Sequence, residues 1–400
     1  MNEVSAEMTI DMVLEILPGA MDLFKQQGLG KFENPEVRSS LGSVLKLRTA
    51  LNMAGVDIDA FVDRLNNMFD AAVEAKDFAL DYSAQESLSM LALLPCGMKM
   101  PFKRKFDEFA ADLDESFRYL VEGNVNHELS YYPYIDTLSD DSELPDVIVS
   151  ADINSFFHHK FTKRFVDTGL FQSLNTPEVN EDFKDTAYFD PDGHFTMTSA
   201  NLLVIVVNRA RLGDIPVPER WSDLLKPCYK NTLTMRGQEG FFCNGVLMPF
   251  YRLFGIEGVI DMAGTVSRGS HPAEMVQEIE RNSPAGTPFY IMPLFFAKRL
   301  KDENTFDIIF PEEGAIVSPV IMLVRAEKVK QAAKVAEFIA GQEMAQFCAD
   351  AGFPSIRPDV DNHLPAQCKL FWMGWDFLKD EDPAEVKAKI DVIFREHVLK

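Results

Sequence analysis

Apolar positions keep a helical rhythm over residues 9–70. Ile10, Val13, Leu14 and Leu17 share one face, with Thr9 as the expected N-cap and Pro18 as the stop. Met21, Leu23 and Phe24 continue in a second short helix that ends at Gly28-Leu-Gly30, and Asn34-Pro35 opens a third. Leu45, Leu47, Ala50, Leu51 and Ala54 mark another, closed by Gly55. Asp57 caps a last one carrying Phe61, Val62, Leu65, Met68 and Phe69. Residues 71–87 are polar, alanine-rich and free of proline, which predicts a linker.

From Leu88 onward short unbroken apolar runs alternate with amphipathic stretches, as in an α/β fold. Residues 90–95 read as a strand, 96–101 as a loop, and Phe102, Phe106, Phe109, Ala110 and Leu113 as a helix face. Residues 145–150 give the next strand, with Asp152 as the expected cap of a helix through Phe156, Phe157 and Phe161. Residues 202–207 are apolar and rich in β-branched side chains, the signature of a strand buried on both faces. Asn208 ends that strand, and Trp221 opens a short helix stopped by Pro227. Residues 231–235 predict a strand, 236–240 a loop, 242–254 and 272–279 helices, and 286–292 a strand entering a helix at Pro293. Residues 306–324 carry two β-rich runs split by Pro311-Glu-Glu-Gly314. A helix over 329–349 follows, then a charged amphipathic helix from Pro383 expected to pack on the first lobe.

A strand ending in Asn, then Trp221-Ser-Asp-Leu-Leu and Pro227, is answered later by Phe310-Pro-Glu-Glu-Gly-Ala-Ile-Val-Ser-Pro319. This order of motifs resembles the type II periplasmic binding protein fold, closest to the ferric-iron and polyamine branch of ABC transporter solute-binding proteins. The resemblance covers residues 88–364. It implies an α/β, two-lobed architecture with hinge strands, preceded by a small all-α domain. The expected division is a helical module at 1–72 and a linker at 73–87. Residues 88–200 and 318–400 form lobe one, and 201–317 form lobe two with the hinge strands. The module itself resembles a small helical domain of unknown function found in anaerobe proteins, related to the N-terminal module of iron–sulfur cluster repair proteins. In those relatives a cysteine often follows the glycine turn; Lys31-Phe32 stands here.

Charge narrows the partners. With 62 acidic against 39 basic residues the net charge is −23, so nucleic acid phosphates are repelled. No apolar run approaches the roughly 20 residues of a membrane span. The first residues are acidic and amphipathic, unlike the basic start of a secretory signal, which leads to the expectation of a cytoplasmic protein. Cys96, Cys228, Cys243, Cys348 and Cys368 are odd in number and irregularly spaced, against a disulfide framework.

Ligands of open α/β sheets bind beyond the carboxyl ends of strands, where helix N-termini favour anions. That rule selects ligand-binding candidates on five loops: Cys96, Gly97 and Met98; Ser150, Asp152 and Asn154; Arg236, Gly237 and Cys243; Met292 and Phe295; and Glu313. Arg236 suits an anionic solute. Asp152 is either a helix cap or a ligand contact, and Glu313 either a cation ligand or part of a solvated turn. Lys99, Lys103, Arg104 and Lys105 are either a basic rim or a solvated helix face. The His158-His159 pair reads as packing. Cys96 and Cys243 are either soft-metal ligands, aided by Met98, Met100 or Met292, or small buried hydrophobes. The ferric branch uses adjacent tyrosines where this chain has Phe295-Phe296, so the resemblance implies no phenolate site there. An aromatic-walled pocket suits an organic or chelated-metal ligand instead.

No catalytic motif is present. The expectation is therefore a binding or sensing protein, not an enzyme, with no resident cofactor. It captures a small anionic, organic or chelated-metal ligand between its lobes. The helical module would then dock a protein partner or a dimer mate. Two alternatives are an enzyme of cofactor or metal metabolism on the same fold, and a scaffold whose cleft is occluded by Phe295 and Phe296.

Overall fold

The computed structural model describes residues 4–17, 20–34, 37–56, 58, 61–62, 65, 88–123, 132, 135–238, 241–327, 330–366 and 368–398. Chain contacts divide it into two compact units, Met1–Leu80 and Asp81–Lys400. The expected linker and the Asp57 cap lie outside the described residues.

The first unit is helical. Its α1 (Ile10–Ile16) begins at Thr9, whose side chain accepts from the Met12 amide. The short α2 (Met21–Gln26) is followed by Gly28 at φ 74°, and α3 (Leu47–Ala54) closes on Gly55 at φ 67°. Ile10, Val13, Leu14, Phe24, Leu47 and Leu51 form the core. Phe24 meets Phe61 edge-on at 5.5 Å. Phe32 is fully buried in that core.

The second unit is built on one mixed sheet. Its strands are β1 (Met90–Leu94), β2 (Tyr119–Gly123), β3 (Val147–Ala151), β4 (Thr196–Asn208), β5 (Leu233–Gln238), β6 (Phe241–Phe242), β7 (Val266–Ser270), β8 (Phe289–Pro293), β9 (Phe306–Ile309), β10 (Ala315–Val324) and β11 (Leu370–Phe371). They run in the order β2-β1-β3-β10-β4-β8-β5-β6, with β11 against β10, β7 against β5 and β9 against β4. The unit is an α/β fold of the two-lobed periplasmic-binding-protein kind. Two long strands make the crossing. The first part of β4 pairs antiparallel with β10, and its end, from Leu203, pairs with β8 and β9 in the second lobe. The last five residues of β10 pair with β3 in the first lobe. Both strands are almost wholly buried, which their unbroken apolar runs require.

The helices that matter to the cleft are α4 (Cys96–Ala110), α5 (Asn244–Thr265), α6 (Pro272–Glu280) and α7 (Leu294–Ala297). After α8 (Lys330–Ile339) and α9 (Gln342–Asp350), the tail folds into α10 (Trp375–Asp380) and α11 (Pro383–His397). Among the described residues no helix is long and apolar enough to cross a membrane.

Four local expectations need correction. The loop expected at 96–101 is the start of α4, which begins at Cys96 itself. The loop expected at Arg236 is strand, because Gly237 and Gln238 pair with β6 in a hairpin. Asp152 is not the cap. Asn154 is, its side chain accepting from the Phe156 amide at 3.0 Å, while Asp152 stands at φ 67°. The last helix packs on α5 of the second lobe, not on the first. Its apolar side needs a partner, and Phe394 finds Phe242 at 4.9 Å. The part anchored in the first lobe is Trp375, whose Nε1 donates to the Tyr188 carbonyl at 3.2 Å.

Candidate functional site

The two lobes meet where β3 and β5 end, beside the middle of the two crossing strands, where Asn201 of β4 pairs with Ser318 of β10. After β3 the chain turns at Asp152, whose amide donates to the Pro319 carbonyl at 2.9 Å. The Ser318 hydroxyl donates to Asp152 Oδ1. Across the gap Arg236 Nη1, from β5, lies 4.0 Å from Asp152 Oδ2. Both side chains are mostly shielded, at 17% and 16% exposure, so the attraction is less screened than at the surface. Gly245 lies in the first turn of α5. A Cβ there would sit 3.4 Å from Cys243 Sγ and 3.5 Å from Asp152 Oδ1. The first lobe's carboxylate therefore reaches the N-terminus of the second lobe's longest helix, where unpaired amides favour negative charge.

An aromatic wall closes the other side. The Phe295 ring, on α7, lies so close over Gly97 that a methyl group at position 97 would overlap it. Phe295 stacks on Phe353 at 5.3 Å, and the Arg299 guanidinium lies 4.2 Å from its centre. Phe296 meets the His271 ring edge-on at 5.9 Å. The cavity left between these groups measures about 20 Å³, room for roughly one water. Asn201, on β4, also lines it. Only 6% of Asn201 is exposed, and its Oδ1 has no hydrogen-bond partner among the described residues.

His271 is the titratable group of the cavity with a large shift. Burial pushes its pKa down to about 4, and the nearby Arg236 charge adds to the effect. Its Nδ1 accepts from the Ala273 amide at 3.2 Å, which suits a neutral ring. Stability that depends on this ring is complete above the unfolded value of 6.5. It is lost as pH falls toward 4, because only the unfolded chain takes up the proton in that window. The loss should be at most ~3 kcal/mol, and less where solvent reaches the ring. Denaturant unfolding of His271→Gln between pH 4 and 7 should show a correspondingly flatter profile than wild type. Parallel profiles would contradict the assignment.

The structure brings Gly97, Asp152, Arg236 and Phe295 together around the cavity, and Cys243 Sγ lies, like the Asp152 carboxylate, beside Gly245 in the first turn of α5. The other candidates are committed elsewhere. Ser150 is buried and bonds Tyr132 and Asn154, and Asn154 also bonds the Ala151 carbonyl. Met98 faces the first lobe's core beside Phe102 and Cys348. Met292 is fully buried in β8 opposite Val204. Gly237 belongs to the hairpin. Glu313 accepts from the Trp221 and Ser222 amides at 3.0 and 3.2 Å, and so caps the helix Trp221–Leu225.

The Cys96 side chain lies outside the described residues. No group of three His, Cys, Asp or Glu suited to a metal occurs among the described residues. The three lysines of the basic cluster on α4 are paired, Lys99 with Glu122 at 2.7 Å, Lys103 with Asp107 and Lys105 with Glu343, both at 2.6 Å. His158 bonds Asp136 and His159 the Leu378 carbonyl.

Among the polar and aromatic residues of the cavity, Asn201, His271 and Phe353 were not expected from the sequence. Two had signals, a polar residue at the mouth of an apolar run and a His-Pro-Ala-Glu capping pattern.

A family model described as bacterial extracellular solute-binding protein matches residues 142–381, and one for a domain of unknown function matches residues 4–62. No curated protein matches the chain. Among solved structures, an ABC transporter protein from Clostridium perfringens is similar at 14% identity and TM-score 0.54, over 77% of this chain and 99% of that one. The ferric binding protein from Campylobacter jejuni is similar at 17% and 0.52, over 78% and 97%. The periplasmic binding protein AfuA from Actinobacillus pleuropneumoniae, with exogenous fructose 6-phosphate bound, is similar at 13% and 0.54, over 78% and 98%. At such identities the likeness is one of fold.

Proposed function

The chain belongs to the bacterial extracellular solute-binding protein family, and from that premise we propose that it captures a small anionic organic solute reversibly between its lobes. The observation that carries the reading is the buried Asn201 amide, its oxygen without a partner, facing the same cavity as Arg236. A buried polar atom left unpaired is costly, and a solute donor group would remove that cost. Arg236 and the α5 N-terminus would take the solute's negative charge, and Phe295, Phe296 and Phe353 its apolar part. The proposed setting is the cytoplasm, in keeping with free thiols at Cys228, Cys348 and Cys368. Native protein in a periplasmic or secreted fraction would overturn that setting. Residues 1–72 are proposed as the docking unit for a protein partner or a second copy.

Titration calorimetry with inorganic phosphate, fructose 6-phosphate and ferric citrate, beside native mass spectrometry of the purified chain, tests the reading. A bound organic mass, or heat with one of these probes, is the expected result. Arg236→Ala should then weaken binding roughly 10- to 100-fold, the worth of a hydrogen bond to a charged group. Equal affinity in that variant counts against the arginine's role. One observation favours the occluded-scaffold alternative, namely the Phe295 ring lying on Gly97. That reading gains if the protein carries no mass and none of the probes gives heat.

A further inference from the structure

We propose that the cleft is latched by the protein's own side chains. Asp152 takes the anion position at the start of α5, Phe295 takes the apolar position on Gly97, and the ligand-free chain rests closed. The inference rests on the proposed solute site only for what opens the latch; the latch itself is a contact between lobes.

The polar half is supplied by four elements: the β3 turn, β10, β5 and α5. Asp152 comes from the β3 turn, held there by the Ser318 hydroxyl and the Pro319 carbonyl of β10. Its second carboxylate oxygen faces Arg236 of the other lobe at 4.0 Å, and its first lies near Gly245 in the first turn of α5. A solute anion aimed at Arg236 and that helix start meets a carboxylate already in place. It must displace Asp152, and that opposes binding by the worth of the pair.

The apolar half is the Phe295 ring. It crosses from α7 to lie on Gly97 at the start of α4 and on Phe353. Gly97 is the one residue type that admits the ring, since any Cβ there would overlap it. The cavity that survives holds about one water, so nothing larger enters without separating the lobes. Hinge closure is ordinarily driven by contacts with a ligand. Here the protein supplies equivalents of both contacts, one charged and one aromatic.

The lobe separation can be read directly on the full chain. One nitroxide is placed on Cys228, which is exposed in the second lobe, and one on Lys163→Cys, exposed in the first. Cys96 and Cys368 are replaced by serine. Without added solute the parent protein should give one short distance distribution matching the closed structure. Asp152→Asn, which keeps the side chain's size, combined with Phe295→Ala should shift the distribution to longer distances. Gly97→Ala should do the same by lifting the ring, and it guards against misfolding of the double variant. A parent distribution already at the longer distance overturns the latch. So does a distribution that no variant moves while each variant unfolds as cooperatively as the parent. Calorimetry with fructose 6-phosphate on the opened variants separates this result from the solute reading. Opening with no heat leaves the latch standing and removes support from the solute.

Discussion

Trp221→Ala should destabilise the Asp81–Lys400 unit by about 3–5 kcal/mol, the range for deleting a fully buried large aromatic. Trp221 has no exposed surface, and its ring meets Phe250 edge-on at 5.7 Å. Its indole Nε1 donates to the Gly314 carbonyl at 2.8 Å, and its backbone amide donates to Glu313 at 3.0 Å. Alanine would leave a cavity and orphan a buried carbonyl in the turn that leads into β10. Trp221→Phe keeps most of the ring and loses the N–H, so it should cost about 1–2 kcal/mol. Denaturant unfolding followed by a probe in this unit should give the alanine variant a much lower midpoint at unchanged slope. A loss below about 1 kcal/mol would mean that the tryptophan does not anchor the turn that leads into β10.

That one side chain shows what the sequence made legible. The unbroken runs in β4 and β10 announced strands buried on both faces, because burial on both faces removes every reason for a polar position. Their pairing could be expected only through the resemblance, since register is set by partners far away in the chain. Local signals fared well for the same reason: Thr9, Gly28 and Gly55 act on atoms within a turn of themselves. The site fared less well. Glu313 caps a helix whose first residue precedes it by 92 positions, and nothing near Glu313 indicates this. Met98 and Met292 stand beside the cleft in sequence, but they turn into cores because strand and helix periodicity decides which face a residue takes. Asp152 and Asn154 are both good caps, and only the left-handed backbone at Asp152 settles which one serves. The Phe295-Phe296 pair was legible as a departure from tyrosine. That one ring fills the cleft depends on Gly97, some two hundred positions away and in the other lobe.

Gly314→Ala should prove as damaging as loss of Trp221, for a backbone reason. Gly314 stands at φ 112°, a conformation open to glycine and strained by roughly 1–3 kcal/mol in other residues. A Cβ there would also lie 2.6 Å from the Leu370 carbonyl carbon and 2.7 Å from the Phe371 nitrogen. Both are backbone atoms of β11, so no side chain can rotate away, and overpacking adds roughly 1–3 kcal/mol. The relief available is to move β11 off β10, breaking the Ala315↔Leu370 pairing and the Ala315 amide's 2.8 Å bond to Lys369. Beyond β11 the chain anchors Trp375 in the first lobe and then lays α11 on the second. A displaced β11 should therefore loosen a third link between the lobes along with the crossing strand. Hydrogen exchange of Gly314→Ala should rise at Ala315, Ile316 and through α11, while the helices of the first unit keep wild-type protection. Gly314 also accepts the Trp221 indole bond, so the two losses should fall short of additive in the double variant. Strict additivity would show that the crossing at Gly314 and the anchor at Trp221 act on separate parts of the fold.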